Sequence, residues 1–130
     1  MFANAAGELL AHSRGYAVVR YRPGAANLDA LAALTTEVGA LLLQRGWTFL
    51  LSNTTELPLL SQAAKDWSRH NWLEGRLPRP SRLHTVTVQP ADVLARLSVA
   101  EVHSHAQGLI RYTRLPDEAA AHAFIAAQLA

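Results

Sequence analysis

Apolar and polar positions change their period several times along this chain, and each change marks a change of element. Near the amino end, Tyr16, Val18 and Arg20 alternate with Ala17, Val19 and Tyr21, and a second extended run, "ELLAH", precedes them across Ser13, Arg14 and Gly15. Two runs of period two around a polar, glycine-containing turn predict a β-hairpin. Pro23 and Gly24 end it. Asn27 then stands as a helix cap before Leu28, Leu31, Leu34, Val38, Leu41 and Leu42, which recur at helical spacing until Gly46. This pattern predicts one amphipathic helix of about five turns. "WTFLLSN" follows, a continuous apolar run too short for a helix and suited to a strand covered on both faces, central in its sheet.

Ser61 opens a second helical segment carrying Ala63, Ala64 and Trp67 and ending near Glu74 and Gly75; "RLPRPSR", with two prolines, reads as a connecting loop. "LHTVTVQ" is rich in β-branched residues and predicts a strand that Pro90 closes. "ADVLARL" starts a third helix. Within it, Ser98 and Glu101 have the spacing of a capping box, which predicts a break near Ser98. "GLIRYTRL" predicts a last strand, and Asp117 caps a final helix whose apolar face includes Ala120, Phe124 and Ala127. Helices alternating with strands imply right-handed crossovers. The expected class is α/β: a single mixed, mostly parallel sheet of about five strands, with an N-terminal hairpin whose first strand is an antiparallel edge, and about four helices.

Composition narrows the picture. A chain of 130 residues is expected to form one domain, burying roughly two thirds of the surface it exposes when unfolded. Half of the residues are hydrophobic and 17% charged, which argues against a disordered chain. Cysteine is absent, so disulfides, thiolate metal sites and thiol nucleophiles are excluded. No apolar run approaches the length of a membrane span, and Glu8 interrupts the most apolar part of the amino-terminal stretch, so a cytoplasmic location is expected. The net charge of +2 rests on eleven arginines and one lysine, Lys65, without the concentrated basic face and motif of a nucleic-acid binder.

The order of these segments carries a resemblance. A strand ending in Asn53 and Thr54, a helix containing Trp67, the Leu97–Val102 segment "LSVAEV" and a closing helix after Asp117 resemble the small bacterial STAS-like domains. These are relatives of anti-sigma-factor antagonists, and their fold is also compared with the lipid-binding CRAL-TRIO proteins. The match covers most of the chain through short motifs. In phosphorylated STAS antagonists an aspartate precedes the switch serine; here Leu60 precedes Ser61. The resemblance implies a non-catalytic domain that binds a protein partner in regulation as a homodimer. Its alternative is a carrier or sensor for a small apolar or lipid-like ligand held between helices and sheet.

Four places merit attention. Ser61, at a helix start, is a candidate switch: a phosphate there would meet the helix dipole and free backbone donors, whereas the simpler role is an N-cap. Asn53, Thr54 and Thr55, with Ser61, lie beyond the carboxyl end of a central strand, where open α/β sheets bind ligands; they are also ordinary turn residues. Arg69, Trp72 and Arg76 interleave aromatic and cationic groups suited to an interface, with Trp72 outward if Trp67 faces the core. The six histidines lack metal-ligand spacing, since His103 and His105 diverge on a helix, and the carboxylates, Glu37 on the wet face of the first helix among them, lack a paired nucleophile. No cofactor, metal or catalytic residue is therefore expected.

Overall fold

The computed structural model describes residues 2–106 and 110–130. Strands β1 (Phe2–Asn4), β2 (Gly7–His12) and β3 (Tyr16–Tyr21) form an antiparallel meander in which Phe2 faces Leu9 and Leu10 faces Val18. A 3-10 turn over Pro23–Ala26 leads into α1 (Leu28–Arg45). The Asn27 side chain caps it by accepting a hydrogen bond from the Ala30 amide, and Gly46 ends it at φ 67°, a left-handed conformation that glycine adopts without a Cβ clash. There follow β4 (Phe49–Asn53), α2 (Gln62–Ser68) prolonged by a π-helical turn over Arg69–Leu73, β5 (Leu83–Val88), α3 (Val93–His103), β6 (Ile110–Leu115) and α4 (Glu118–Leu129).

The strands lie in chain order across one sheet, with β3 to β6 parallel. The α/β class, the mixed and mostly parallel sheet, the N-terminal hairpin and the four helices are as the sequence pattern implies. Among the described residues the sheet has six strands rather than about five. The addition is β1, which displaces β2 from the edge; three residues with a single large apolar side chain, Phe2, leave no periodic signal. A further difference concerns α3. It runs unbroken through Ser98, because Asp92 is the true cap, accepting from the Ala95 amide at 2.8 Å, and the Ser98 hydroxyl instead accepts from the Leu60 amide at 3.3 Å. Gly108 and Leu109, in the run that predicts the last strand, lie outside the described residues.

Strands that advance in one direction through right-handed crossovers must carry their helices on one face. Accordingly α1, α2 and α3 cover one side of the sheet through Leu31, Leu34, Val38, Leu42, Ala64 and Val99, packed on Ala17, Val19, Leu50 and Leu83. The opposite side receives α4, whose Ala121 and Ile125 pack on Tyr16, Val18, Leu51, Val86 and Val88. Period two thus sorts each central strand between two separate cores. Among the described residues no helix is long and apolar enough to cross a membrane.

The connection from the π-helical turn to β5 is pinned closely to α1. A Cβ added at Gly39 would stand 2.2 Å from the Pro78 carbonyl oxygen and 3.4 Å from the Trp72 ring. Arg79 fastens the same segment, donating to the carbonyls of Trp72, Leu73 and Pro80 at 2.6, 3.0 and 2.8 Å. The close approach sets Trp72 against the edge of the core.

Candidate functional site

The sheet face beneath α1, α2 and α3 is not uniformly apolar. Register places Leu50, Thr85 and Tyr112 side by side on β4, β5 and β6, and one step further Val19, Ser52, Thr87 and Arg114. Side chains two residues apart point to the same face, so hydroxyls at Ser52, Thr85, Thr87 and Tyr112 share the side the three helices cover. Between that band and the helices lies a cavity of about 100 Å³. Leu31, Val38, Leu57, Leu60 and Val99 supply apolar walls, and Tyr21, Ser52, Thr85, Trp72, His103 and Tyr112 supply polar or aromatic ones.

Hydrogen bonding divides the polar groups around this cavity into two sets. Thr35 donates to the Leu31 carbonyl at 2.8 Å, and Thr54 donates to the carbonyl of Val88; both are internally satisfied. Among the described residues, Thr85 Oγ1 and His103 Nδ1 are buried without a partner, as is Thr87 Oγ1 further along β5. A buried polar atom left unpaired costs about 1–3 kcal/mol. Such atoms are uncommon in native interiors, and three around one region ask for a hydrogen-bonding occupant.

Burial controls the charge state here. It holds the His103 imidazole down at about 3, the Arg114 guanidinium adding to the effect, so the ring is neutral at physiological pH. It pushes the Tyr21 phenol up to about 12, with Ser52 beside it opposing. The Tyr112 phenol is raised further by burial and by Tyr21, against the influence of Arg79 and Trp72. His103 stacks on Tyr112 with ring centroids 3.7 Å apart and planes 17° from parallel, which fixes both rings. The inner cavity is therefore hydrogen-bonding but uncharged.

The turn after β4 is used for structure. The Asn53 amide donates to Glu118 at 2.7 Å, and its carbonyl accepts from the amide and hydroxyl of Thr55 at 3.0 and 2.7 Å. Glu118 also receives Arg20 at 2.6 and 3.0 Å, joining α4 to β3, and this ion pair first of all lowers the Glu118 carboxyl to about 2. Of the candidate ligand residues Asn53, Thr54, Thr55 and Ser61, only Thr54 lines the cavity, and its hydroxyl is engaged. Ser61 is exposed and caps α2, accepting from the Ala64 amide at 3.1 Å.

The interface group separates as well. Arg69 lies 3.8 Å from Asp66, and Arg76 lies 4.0 Å from Glu74 with its side chain 66% exposed. Trp72 instead turns inward, packing on the core and lining the cavity, so it does not share an outer surface with Arg76. Trp67 and Trp72 are both half-buried, but it is Trp72 that packs against this core and lines the cavity, so the expectation of Trp67 inside and Trp72 outside does not hold. The π-helical turn causes this. Widening the helix by one residue per turn re-aims Trp72 relative to a regular α-helix. Among the described residues no cluster of histidine and carboxylate side chains is arranged to hold a metal ion.

Of the residues that matter most at the cavity, Thr85, Tyr112 and Tyr21 were not singled out from the sequence, and His103 was weighed there only as a metal ligand. A signal existed in "LHTVTVQ": a central parallel strand is expected to be apolar on both faces, yet Thr85 and Thr87 put two hydroxyls on one of them. Comparison of the chain with family models, curated proteins and solved structures finds no match.

Proposed function

We propose that this chain is a non-catalytic, STAS-like binding domain, a carrier or sensor that takes up a small molecule between its three covering helices and the sheet. The observation that carries this reading is the pairing of a 100 Å³ cavity with unpartnered buried hydrogen-bonding groups, Thr85 Oγ1 and His103 Nδ1, on its lining residues. An apolar cavity of about 150 Å³ accepts benzene and stays dry. The present space is smaller and more polar, suiting a portion of about five non-hydrogen atoms that brings an uncharged donor or acceptor. Neutral His103 and the phenols Tyr21 and Tyr112 favour an alcohol, ether or amide over an ion in this inner part.

The test is a fragment screen by methyl NMR. Uncharged oxygen-containing fragments should shift the signals of Leu50, Thr85 and Val99, and Thr85→Val should weaken them. Absence of any shift at these methyls with millimolar fragments would remove the reading.

A second reading, regulation through a protein partner, rests on a different observation. Val93, Leu94 and Leu97 on the outer side of α3 are 64, 60 and 63% exposed, an apolar triplet of the sort that marks interaction surfaces. If the partner is a second copy, light scattering at high micromolar concentration returns a dimer that Leu94→Asp dissociates. A monomer there ends the homodimer.

A further inference from the structure

A second depression, of about 160 Å³, lies where β5 and β6 end, between the sheet and α3. Thr87, Arg96, Val99 and Arg114 line it. Its position is the carboxyl end of parallel strands, where open α/β sheets bind ligands. Its chemistry differs from that of the inner cavity. Arg96 is held by its Nε, which donates to the Pro90 carbonyl at 2.7 Å, leaving the terminal nitrogens of a fixed guanidinium. Among the described residues neither Arg96 nor Arg114 is paired with a carboxylate. Two cations on one depression repel unless an anion lies between them, and guanidinium groups match carboxylate and phosphate oxygens in bidentate geometry.

A second, independent observation points to a ligand. Thr87 is 1% exposed and its hydroxyl has no partner among the described residues, although Arg114 is its neighbour across the strand pair. The two depressions also adjoin, since Val99 lines both and Arg114 is close enough to His103 to influence its charge. Thr85 in the inner cavity and Thr87 in the outer depression are two residues apart on β5, a separation of about 7 Å.

We infer that the outer depression holds an oxyanion, a carboxylate or phosphate bound by Arg96, Arg114 and Thr87, and that it is the charged end of the ligand whose uncharged part fills the inner cavity. This inference rests on the cavity reading above and makes the ligand a molecule with an anionic head and a short chain ending in an uncharged hydrogen-bonding group such as a hydroxyl. A chain of five or six carbons spans the step from Thr87 to Thr85 and passes Val99.

The experiment titrates the full chain with 6-hydroxyhexanoate, 6-hydroxyhexyl phosphate, hexanol and inorganic phosphate, following methyl and backbone NMR signals. At least one six-carbon anion should bind about tenfold or more tightly than hexanol, as charge-assisted contacts to a fixed guanidinium imply. That probe should shift Thr85 and Leu50 together with Thr87 and Arg114. The double substitution of Arg96→Gln and Arg114→Gln, both on exposed side chains, should bring the anion down to the affinity of hexanol and leave hexanol unchanged. Equal binding of hexanol and the anions, with shifts at Thr85, overturns the oxyanion site and leaves the inner cavity standing. No shift at Thr85 or Leu50 with any six-carbon probe removes the cavity reading and this inference together. Shifts at Thr87 and Arg114 with inorganic phosphate alone overturn the joint ligand. Which six-carbon anion binds better separates a carboxylate head from a phosphate head.

Discussion

Glu118, the first residue of α4, receives two hydrogen bonds from Arg20 on β3, one at 2.6 Å and one at 3.0 Å. The pair is bidentate and partly shielded, with the Glu118 side chain 24% exposed. It closes the helix that covers one side of the sheet onto the strand where the antiparallel and parallel halves meet. Asn53, an expected ligand residue, is recruited into the same clamp.

Glu118→Gln should lower stability by about 1–2 kcal/mol, the range for charge-assisted hydrogen bonds after allowance for solvent screening. Because the folded carboxyl sits near 2, below its ordinary value of 4.5, the stabilisation is complete above pH 4.5. It is lost as pH falls from there through about 2. Denaturation midpoints between pH 2 and pH 7 should therefore converge for Glu118→Gln and the parent protein at the acid end.

His103 gives a pH dependence in a window that begins higher. Burial lowers its folded value to about 3 from 6.5, so below pH 6.5 the unfolded chain takes up a proton that the folded chain refuses. Stability must then fall with acidification between 6.5 and 3, by at most about 1.4 kcal/mol per pH unit from this group. His103→Phe preserves the stack on Tyr112 and should flatten the profile between pH 6.5 and 4.5, where Glu118 contributes no slope. A profile unchanged by the substitution contradicts the burial of this ring.

Thr85→Val replaces an unpartnered buried hydroxyl by a methyl group of similar volume. The ligand-free protein should gain about 1 kcal/mol or more, because the desolvation penalty of the hydroxyl is about 1–3 kcal/mol. Urea denaturation of both proteins measures it. A loss of stability would mean that Thr85 makes a structural hydrogen bond in solution.

Gly39→Ala sets two known effects against each other. Alanine favours helix over glycine by about 1 kcal/mol, but the added Cβ would stand 2.2 Å from the Pro78 carbonyl oxygen. Backbone must move to relieve that overlap, and overpacking of this kind costs about 1–3 kcal/mol. The expected outcome is a net loss of stability, accompanied by a change in Trp72 fluorescence as the ring follows the displaced segment.

The architecture was legible because its signals are local and repeated. Leu28 to Leu42 announce α1, Asp117 and Ser61 act as the caps their positions imply, and changes of hydrophobic pattern mark the strands β2 to β6 and the helices α1 to α4. β1 escaped because Phe2–Asn4 is too short to show a period. The spacing of Ser98 and Glu101 imitates a helix start, but Ser98 serves the Leu60 amide, a partner distant in the chain that no local pattern contains.

The site was less legible, for the same reason. Thr85, Tyr112 and Tyr21 become neighbours only through strand register, and His103 meets Tyr112 only because α3 folds back over β6. The hydroxyl-rich turn at Asn53, Thr54 and Thr55 stood out in the chain, yet three-dimensional contacts turn its side chains toward Glu118, the Val88 carbonyl and one another. Trp72 shows the same limit: a π-helical turn, without a sequence mark of its own, carries it from the expected surface to the cavity wall.

The most direct measurement of the central claim is a high-resolution crystal structure of the protein as purified and after soaking with 6-hydroxyhexanoate, whose hydroxyl can reach the inner groups while its carboxylate stays outside. Uptake of a ligand between the three helices and the sheet predicts non-protein density within hydrogen-bonding distance of Thr85 Oγ1 and His103 Nδ1. A space closed by inward movement of Trp72 or His103, with the Thr85 hydroxyl bonded to protein and no density in either crystal, would contradict it.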